Sequence, residues 1–429
     1  MKRFRILATA FLCAWAVSPT PVRAQRPAAA PACDPDNGGL TLPAGFCALV
    51  VTEGTGEGAR HLVVAPNGDI FMSRRPLGTR PGGIVALRDT NGDGKADVTE
   101  VFGNGNTTGI ALRNGYLYYA TTKSIERVKM TPGELKPAGP AEIIVGGLPG
   151  TGGHADKGIT FDERGNVYVN VGLPSNACAD LAPHAVAPDP CPLLEDGGGI
   201  WRFKADVVGQ QYSRAARYAT GMRQPLAIAW HNQTLYVVMN SRDSLDKFFP
   251  EKFTAQENAD RPLEPLFDVK EGDVYGWPYC WLDAQTNTMV LAPEYGGDGK
   301  VVGRCAQYKM PVASFPAHWA PVGLVPYTGT QFPQKYQGGL FVAFHGSHDR
   351  NSGLAQTGFN VVFQPLAKGK VSGPYEVFAD GFKGAKPVIT RNDAVAKPNG
   401  VAQGPDGSIY VVESNKGKIW RILYKGASK

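Results

Sequence analysis

The sequence predicts an all-β fold, a six-bladed β-propeller with four-stranded antiparallel blades. Two observations lead to this prediction. A short pattern returns six times along the 429 residues, and each copy joins two apolar, β-like runs through a turn of residues that tolerate positive φ. Four antiparallel strands repeating at roughly 40 to 50 residues are typical of a propeller. A β-sandwich with extra strands is the less favoured alternative, because one sandwich does not require six similar units. The copies begin near Leu62, Gly109, Gly158, Leu226, Gly323 and Gly400.

Each copy supplies the two inner strands of a blade, and the outer strands are predicted from the segments between copies. Fourth strands are predicted in VTEVFGNG, AEIIVGGLP, ARYATGMR and YEVFADGF. The segment 47–54 precedes the first hairpin, so we expect it to pair with 418–424 and close the ring, which removes two free strand edges. The insertions 174–198 and 241–320 are rich in Pro, Gly and aromatic residues, and we expect them to be loops over one face. Third strands are predicted at 82–89, 124–130, 198–206, 359–366 and 418–424.

The N-terminal residues are typical of an export signal. Three basic residues precede an apolar run over 6–17, and small residues follow before Gln25. The predicted domains are a cleaved signal peptide at 1–24, an extended lead at 25–39 and a propeller at 40–429. A periplasmic or secreted protein is expected. No membrane span is predicted, because the apolar run is short and no later segment is long enough.

The charge of the chain argues against a nucleic-acid partner. The formal net charge is +6, and residues 1–24 hold four Lys or Arg and no acidic residue, so the mature chain carries 6 − 4 = +2. A nucleic-acid-binding surface usually needs a stronger basic excess.

The cysteines predict disulfides. Of seven cysteines, one lies in the predicted signal, and the other six form three pairs that are close in sequence. An even number in an exported chain favours disulfides, although six cysteines allow 15 pairings and the local scheme rests on loop length. A metal site is the alternative, weakly supported because no CxxC or CxxCH occurs. The local pairs are Cys33 with Cys47, Cys178 with Cys191, and Cys280 with Cys305.

The segment 89–100 predicts a calcium site. It matches the twelve-residue calcium-loop pattern, with oxygen-bearing side chains at positions 1, 3, 5, 9 and 12 and Gly at position 6. The flanking segments are strands, which excludes a helix–loop–helix sensor and leaves a structural calcium loop. An Asx-rich turn without an ion is the alternative. The oxygen-bearing residues are Asp89, Asn91, Asp93, Asp97 and Glu100.

Basic side chains recur just before the inner strands of four copies. In a propeller this position lies near the central axis, where ligands bind. His154 there could act as a general base, because the unperturbed pKa of imidazole is close to neutrality. Cations that converge on one axis suit an anionic ligand. The alternative is that these side chains satisfy loop carbonyls. The residues are Arg60 with His61, His154, Arg223 and Lys397.

Several segments resemble the soluble glucose and sorbosone dehydrogenases that use pyrroloquinoline quinone. They are GGHADKGITFDERGNVYVNVG, ATGMRQPLAIAW, EGDVYGWPYC, GSHDR and KPNGVAQGPDGSIYVVES. The similarity covers nearly the whole mature chain and is closest to the sorbosone dehydrogenase-like branch, through SNAC…CPLLEDGGGIWRF, APEYGGDGK and FPAHWAPVGL. The resemblance implies a propeller with the quinone over its axis, calcium, and a sugar or sugar aldehyde as substrate. It also implies a separate electron acceptor such as a cytochrome or quinone, because no haem motif is present.

The resemblance assigns roles by position. His154 matches the base that takes the proton of the anomeric hydroxyl, and Arg223 matches the cation that stabilises the quinone oxygen as it becomes negative. The main-chain carbonyls of Ser241 and Arg242 match calcium ligands. The implied cofactor-binding residues are Arg60, Lys157, Gln224, Asn240, Arg350 and Lys397.

Three departures from the family pattern affect this assignment. Leu173 stands where the glucose dehydrogenases have a carboxylate that orients the base, so we expect His154 to be a poorer base. His348 replaces a Trp of the branch. Lys397 and Asn399 replace two Arg, and Lys does not make the bidentate contact that Arg makes to a carboxylate. These departures are what a non-catalytic binding propeller would show, which is one alternative function. The other is a calcium-dependent lactonase-like hydrolase, which needs axial carboxylates where this chain has mostly basic residues.

Overall fold

The fold is taken from a computed structural model that describes Met1 and residues 31–150, 152–178, 182–350 and 353–426. The predicted signal peptide after Met1 and residues 25–30 of the predicted lead lie outside the described residues. Chain contacts separate Met1–Pro31 from a second compact unit, Ala32–Lys429, and the fold described below is that of the second unit. No helix in the described part of the chain is long and apolar enough to cross a membrane.

The first three blades each contain a four-stranded antiparallel sheet, preceded by strand β1 (Phe46–Thr52). Blade 1 contains β2 (Ala59–Val64), β3 (Ile70–Arg74), β4 (Gly83–Arg88) and β5 (Val98–Phe102). Blade 2 contains β6 (Thr107–Arg113), β7 (Tyr116–Thr121), β8 (Ile125–Lys129) and β9 (Glu142–Gly146). Blade 3 contains β10 (Ile159–Phe161), β11 (Asn166–Val171), β12 (Gly199–Lys204) and β14 (Arg217–Thr220), while β13 (Gln210–Gln211) pairs in parallel with β9.

The remaining blades complete the ring. Blade 4 contains β15 (Gln224–His231), β16 (Thr234–Asn240), β17 (Glu264–Val269) and β20 (Ala313–Phe315). Blade 5 contains β21 (Pro321–Pro326), β22 (Leu340–Phe344), β23 (Asn360–Gln364) and β26 (Glu376–Ala379). Blade 6 contains β27 (Pro398–Gln403), β28 (Ile409–Glu413) and β29 (Ile419–Tyr424). Outside the blades lie α1 (Leu245–Phe248), α2 (Ala255–Asp260) and the hairpins β18 (Cys280–Asp283) with β19 (Thr288–Leu291) and β24 (Leu366–Ala367) with β25 (Lys370–Val371).

The six-bladed prediction and the ring closure are confirmed. Strand β1 is the fourth strand of blade 6 and pairs antiparallel with β29, Phe46 opposite Tyr424. The Phe46 ring packs edge-on against Phe332, Tyr336 and Phe378 at centroid distances of 4.7 to 5.3 Å. Edge-on aromatic pairs add about 0.5–1.5 kcal/mol each to ordinary apolar burial. The two ends of the ring are therefore joined by the β1–β29 pairing, and an aromatic cluster of blade 5 packs against the closing strand.

The expectation that 241–320 consists only of loops is wrong. This segment contains β17 and β20, the two outer strands of blade 4, together with both α-helices and the β18–β19 hairpin. Strand β17 begins with Glu264 and Pro265, which are unfavourable strand residues, and so it shows no alternating apolar pattern. Glu264 is tolerated because its carboxylate accepts hydrogen bonds from the backbone N–H groups of Ser241 and Ala320.

The innermost strands approach one another closely at the axis. A Cβ atom added to the glycine at the start of four of the six inner repeats would lie 2.3 to 2.7 Å from a backbone oxygen of the next blade. Contacts that short do not occur between real Cβ atoms and backbone, so these positions exclude a side chain. The inner strands are therefore packed backbone to backbone, which fixes the loops at their ends. The four glycines are Gly109, Gly158, Gly323 and Gly400.

The predicted disulfide pairing is confirmed in all three pairs, Cys33–Cys47, Cys178–Cys191 and Cys280–Cys305. The second and third bonds lie in the two insertions, and their four sulfurs belong to one buried apolar cluster. The insertions therefore pack against each other on the loop side of the propeller.

Candidate active site

The loops that precede the inner strands form a site at one end of the axis, here called the axial site and defined by Arg60, His154, Arg223 and Lys397. Beyond the site, a cavity of about 310 Å³ continues along the axis and is lined by residues of all six inner strands. His61 of blade 1 lines this cavity and reaches across it, with its Nε2 at 2.7 Å from the carbonyl oxygen of Val322 in blade 5. The axial site is thus held by contacts between blades as well as within them.

His154 is fixed by the main chain. Its Nδ1 lies 2.6 Å from the carbonyl oxygen of Leu173. A carbonyl oxygen only accepts, so Nδ1 carries the proton and donates it, and Nε2 keeps a lone pair. Burial and the nearby Arg223 cation lower the pKa of His154 to about 3. His154 is therefore a neutral, oriented base at neutral pH.

The structure shows how His154 is oriented without a carboxylate at position 173, and the expectation that it is a poorer base stays a prediction. The glucose dehydrogenases orient the base with a carboxylate at this position, and a Leu side chain cannot do so. The backbone carbonyl of Leu173 fills that role, and any residue at position 173 carries such a carbonyl. The absent carboxylate is therefore no argument that His154 is poorly oriented.

Arg223 lies beside His154 and is anchored by Asp243. Only 5% of its side chain is exposed, and its Nη2 lies 2.5 Å from Oδ2 of Asp243. Its Nε has no hydrogen-bond partner among the described residues. The next residue, Gln224, has its Oε1 at 3.5 Å from Nδ2 of Asn170, which itself donates to the carbonyl of Asp156. The start of blade 4 is thereby tied to the loop that carries His154.

A second group of cations surrounds Asp156. Arg75 pairs with the Asp156 carboxylate, and Nε of Arg60 lies 3.9 Å from it. Burial alone would raise the pKa of Asp156, but Arg75 and Arg60 hold it below its usual value. Burial, followed by repulsion from Arg75, lowers the pKa of Arg60 to about 10. Burial lowers the pKa of Lys157 to about 8, and its Nζ donates to the carbonyl of Ala155.

The blade 6 side of the axial site is also cationic. Burial and then Arg391 lower the pKa of Lys397. Burial, Arg60 and Lys397 hold the pKa of His345 well below its usual value, and its Nε2 lies 2.9 Å from Oγ of Ser414. Arg60, Arg75, Lys397 and His345 act on one another here, so an anion placed among them would relieve part of their mutual repulsion.

The segment 240–242 carries two carbonyl oxygens that accept no hydrogen bond from the described residues. Asn240 donates from Nδ2 to the carbonyl of Pro321 at 2.8 Å, and the backbone N–H of Ser241 donates to Glu264 at 2.6 Å. Arg242 forms two hydrogen bonds to the Glu294 carboxylate, at 2.7 and 2.9 Å. Ser241 and Arg242 are only 4% and 3% exposed. No hydrogen bond between described residues ends on either carbonyl oxygen, and buried carbonyls are normally paired.

Arg350 lies with α2 and not with the axial group. Its guanidinium donates to the carbonyl oxygens of Ala259 and Ala355 and pairs with Asp260 at 3.0 Å. These contacts use Nε and both Nη atoms. The role of Arg350 in cofactor binding therefore stays a prediction from resemblance.

The predicted calcium loop forms a turn. Asp89 accepts hydrogen bonds from the N–H groups of Gly92 and Gly94, and Asn91, Asp93 and Asp97 likewise accept from backbone N–H groups of the turn. Glu100 lies on β5 and pairs with Lys136 at 2.6 Å. Among the described residues, no three of the four carboxylates come within 4.8 Å of one another. The calcium assignment for this loop stays a prediction.

Four residues of the site were missed from the sequence, the buried Asp156, Glu264 and His318 and the half-buried Asp243. Asp156 and Asp243 stand next to predicted residues, but Asp is common in loops and gives no signal of its own. Burial raises the pKa of Glu264 to about 7. His318 lies in the FPAHWAPVGL segment, which indicated a family resemblance without indicating a role.

The fold and the site together define a class of protein, a six-bladed propeller whose loop end holds a half-buried imidazole base among several cations. A family model described as TrAA12-like matches residues 40–425. Because the match covers most of the chain, the protein belongs to the TrAA12-like family.

Solved structures share this fold at low sequence identity. The holo form of the pyranose dehydrogenase PQQ domain from Coprinopsis cinerea has a TM-score of 0.68 and 15% identity, covering 90% of this chain and 97% of that one. The calcium structure of a Trichoderma reesei family AA12 enzyme has a TM-score of 0.69 and 15% identity, with coverage of 90% and 97%. An uncharacterized protein from Borreliella burgdorferi is 26% identical over 211 residues, 48% of each chain, so the match spans about half of that relative.

Proposed function

We propose that the protein is an exported oxidoreductase that oxidises the anomeric or aldehyde carbon of a sugar-like substrate with pyrroloquinoline quinone and calcium. The observation that carries the proposal is the geometry of His154, whose Nδ1 is bound to the Leu173 carbonyl and whose Nε2 is left as a base beside Arg223. The family and two of the similar structures, a PQQ domain in its holo form and a calcium structure, support the same cofactors.

The residues present fit an anionic quinone. Pyrroloquinoline quinone is a tricarboxylate, and the site supplies buried or half-buried cations: Arg60, Arg75 and Lys157 near Asp156, and Lys397 on the blade 6 side. Arginine suits bidentate carboxylate contacts, whereas lysine acts as a point charge. These side chains would hold the carboxylates, and Gln224 and Asn240 would border the ring system.

The residues also fit a calcium ion beside the quinone. Calcium prefers oxygen ligands, including main-chain carbonyls. The carbonyl oxygens of Ser241 and Arg242 are buried and accept no hydrogen bond from the described residues. The Arg242 side chain is turned away into its pair with Glu294, so the guanidinium does not compete with a cation for this position.

In the mechanism, Nε2 of His154 accepts the proton of the hydroxyl group on the carbon to be oxidised. The quinone, when bound, supplies the oxidant that accepts the hydride of that carbon. The Leu173 carbonyl stabilises the imidazolium that forms, because Nδ1 already donates to it. Arg223, held by Asp243, stabilises negative charge that develops near it. General-base assistance of this kind contributes roughly 10²- to 10⁴-fold to a rate.

The test is a titration of the metal-stripped mature protein with pyrroloquinoline quinone, with and without calcium, followed by reduction of an artificial dye with aldoses and sugar aldehydes. We expect one-to-one binding that needs calcium, and dye reduction that also needs sugar. His154→Gln should bind the quinone and lose dye reduction by roughly 10²-fold or more. His184→Gln, at an exposed imidazole of the insertion, is the matched control.

Other outcomes separate the alternatives. Lactone hydrolysis with metal alone would identify a hydrolase. Absence of quinone binding at high micromolar concentration, with no hydrolysis, would leave a binding propeller. Full dye reduction by His154→Gln would remove this residue from the mechanism. Activity confined to sugar aldehydes would support the sorbosone dehydrogenase-like branch.

A further inference from the structure

His318 occupies an unusual position behind Arg223. It lies between β20 and β21 with a left-handed backbone, φ 60°, and Ala320 two residues later also has a positive φ of 56°. Such conformations are costly for residues other than glycine and persist where the surroundings fix them, often at functional sites. His318 is 5% exposed. The contacts of His318 must therefore offset the cost of its backbone conformation.

Both ring nitrogens of His318 face acceptors. Nδ1 lies 3.0 Å from Oδ1 of Asp243, and Nε2 lies 2.6 Å from the carbonyl oxygen of Asn258. A neutral imidazole has one donor and one acceptor nitrogen, so it could satisfy only one of these contacts. Both contacts are satisfied only when both nitrogens carry protons. The hydrogen bonds thus identify His318 as an imidazolium.

Neighbouring charges are consistent with this protonation state. Burial alone would lower the pKa of His318, but the hydrogen bond and the charge of Asp243 raise it above its usual value. Asp349 lies nearby and is bound by Ser244 and by Lys247 at 3.0 Å. Asp243, His318 and Asp349 have ligand-type atoms within 4.8 Å of one another. With both His318 nitrogens protonated, however, the group is a chain of ion pairs and offers no imidazole lone pair to a metal.

Both carboxylate oxygens of Asp243 have a cationic partner. Its Oδ2 binds Nη2 of Arg223 at 2.5 Å, and its Oδ1 binds His318. Without the second contact the carboxylate could rotate about its terminal torsion, which is broad for Asp. Arg223 would then lose a fixed partner. Asn258 of α2 holds the far side of the imidazolium.

We propose that His318 is a positioning residue, a buried imidazolium that clamps Asp243 and thereby holds Arg223 against the axial site beside His154. The effect of this contact on cofactor binding rests on the proposed function. The protonation state of His318 and its contact with Asp243 do not depend on that function.

The first test needs no cofactor. Protein labelled with ¹⁵N in histidine is examined by long-range ¹H–¹⁵N correlation at pH 7, and the His318 signal is assigned by its loss in His318→Gln. We expect both ring nitrogens of His318 to show the shifts of protonated imidazolium, whereas His154 should show one protonated and one unprotonated nitrogen. An unprotonated ring nitrogen on His318 would overturn the proposal.

The second test is a double-mutant cycle on quinone binding. His318→Gln keeps the approximate shape and removes the charge and one donor. We expect it to weaken binding of pyrroloquinoline quinone about tenfold, the usual order for losing one ionic hydrogen bond. In an Arg223→Lys background the loss should be less than twofold, because His318 acts through the Arg223 guanidinium, which that variant lacks. His231→Gln, at the hairpin turn of blade 4, is the control and should leave binding unchanged.

The outcomes distinguish the inference from the proposed function. Equal losses in both backgrounds would mean a general structural effect and would refute positioning. If the unmodified protein fails to bind quinone, the proposed function fails and the nitrogen shifts decide the inference alone. If His318→Gln does not fold, the nitrogen shifts of the unmodified protein still decide the inference. The His318 signal is then assigned from its change in Asp243→Asn.

Discussion

Replacing His154 should change how stability depends on pH. In the unfolded chain an imidazole titrates near its ordinary value of 6.5, whereas burial and Arg223 lower the pKa of folded His154 to about 3. Between these values the unfolded state binds more protons than the folded state. Stability must therefore fall as the pH is lowered from 6.5 toward 3, and His154 is the residue that causes this part of the loss.

The size of the effect follows from the two pKa values. At about 1.4 kcal/mol for each pKa unit, the difference between 6.5 and about 3 is worth about 5 kcal/mol when fully expressed. Between pH 7 and pH 4 the part expressed is about 3 kcal/mol, because the unfolded imidazole is almost fully protonated at pH 4 and the folded one is not. An effect of this size is large against a typical total stability of about 5–15 kcal/mol.

The assay is urea unfolding of wild type and His154→Gln at pH 7, 6, 5 and 4, followed by tryptophan fluorescence. Glutamine still donates to the Leu173 carbonyl but does not titrate. Every other titrating group contributes equally to both proteins, so the difference between their unfolding free energies isolates His154. We expect wild type to lose about 3 kcal/mol relative to the variant between pH 7 and pH 4. Parallel curves would refute a neutral His154 with a lowered pKa.

Three further perturbations follow from packing and charge. Arg242→Met leaves the buried Glu294 carboxylate without its partner and should cost about 3–5 kcal/mol, measured by urea unfolding. Replacing Cys280 and Cys305 with Ser opens a loop of 25 residues and should cost roughly 3.5 kcal/mol, measured under non-reducing conditions. Gly158→Ala puts a Cβ 2.3 Å from a backbone oxygen of blade 4 and should lower the thermal midpoint by several degrees, measured by calorimetry.

Matched controls test the reasons given. The exposed pair Arg202–Glu271 has 35% and 61% exposed side chains, and its loss should cost less than about 1 kcal/mol. A cost equal to that of Arg242→Met would mean that burial is not what matters. Gly139 has no neighbouring atom within 4 Å of an added Cβ, so Gly139→Ala should be tolerated. If Gly158→Ala is tolerated equally well, the inner strands are not packed as described.

The blade repeat could be read from the sequence because its signals are local. An apolar run, a turn residue and a second run within about fifteen residues specify a hairpin without reference to the rest of the chain. The same holds for the disulfides, whose partners are 13 to 25 residues apart. The axial location of His154 and Arg223 followed from their place in the repeat.

The insertion 241–320 was harder to interpret, because β17 and β20 depend on neighbours for their stability. Strand β17 starts with a carboxylate that is acceptable only when Ser241 and Ala320 donate to it. Burial and hydrogen bonding override the β-strand propensity of such residues, and neither effect is visible in the local sequence.

The sequence by itself determined the number of blades, the closure of the ring and the residue types at the axis, since each depends on short-range pattern and repeat position. It favoured the observed disulfide pairs through their short loops, and the structure decided them. Only the tertiary structure decided how the axial side chains are held. The Leu173 carbonyl that orients His154 is a main-chain group common to all residues, and so no residue type reveals it. The His318 clamp joins side chains 75 residues apart, and the folded chain alone brings His318 and Asp243 within hydrogen-bonding distance.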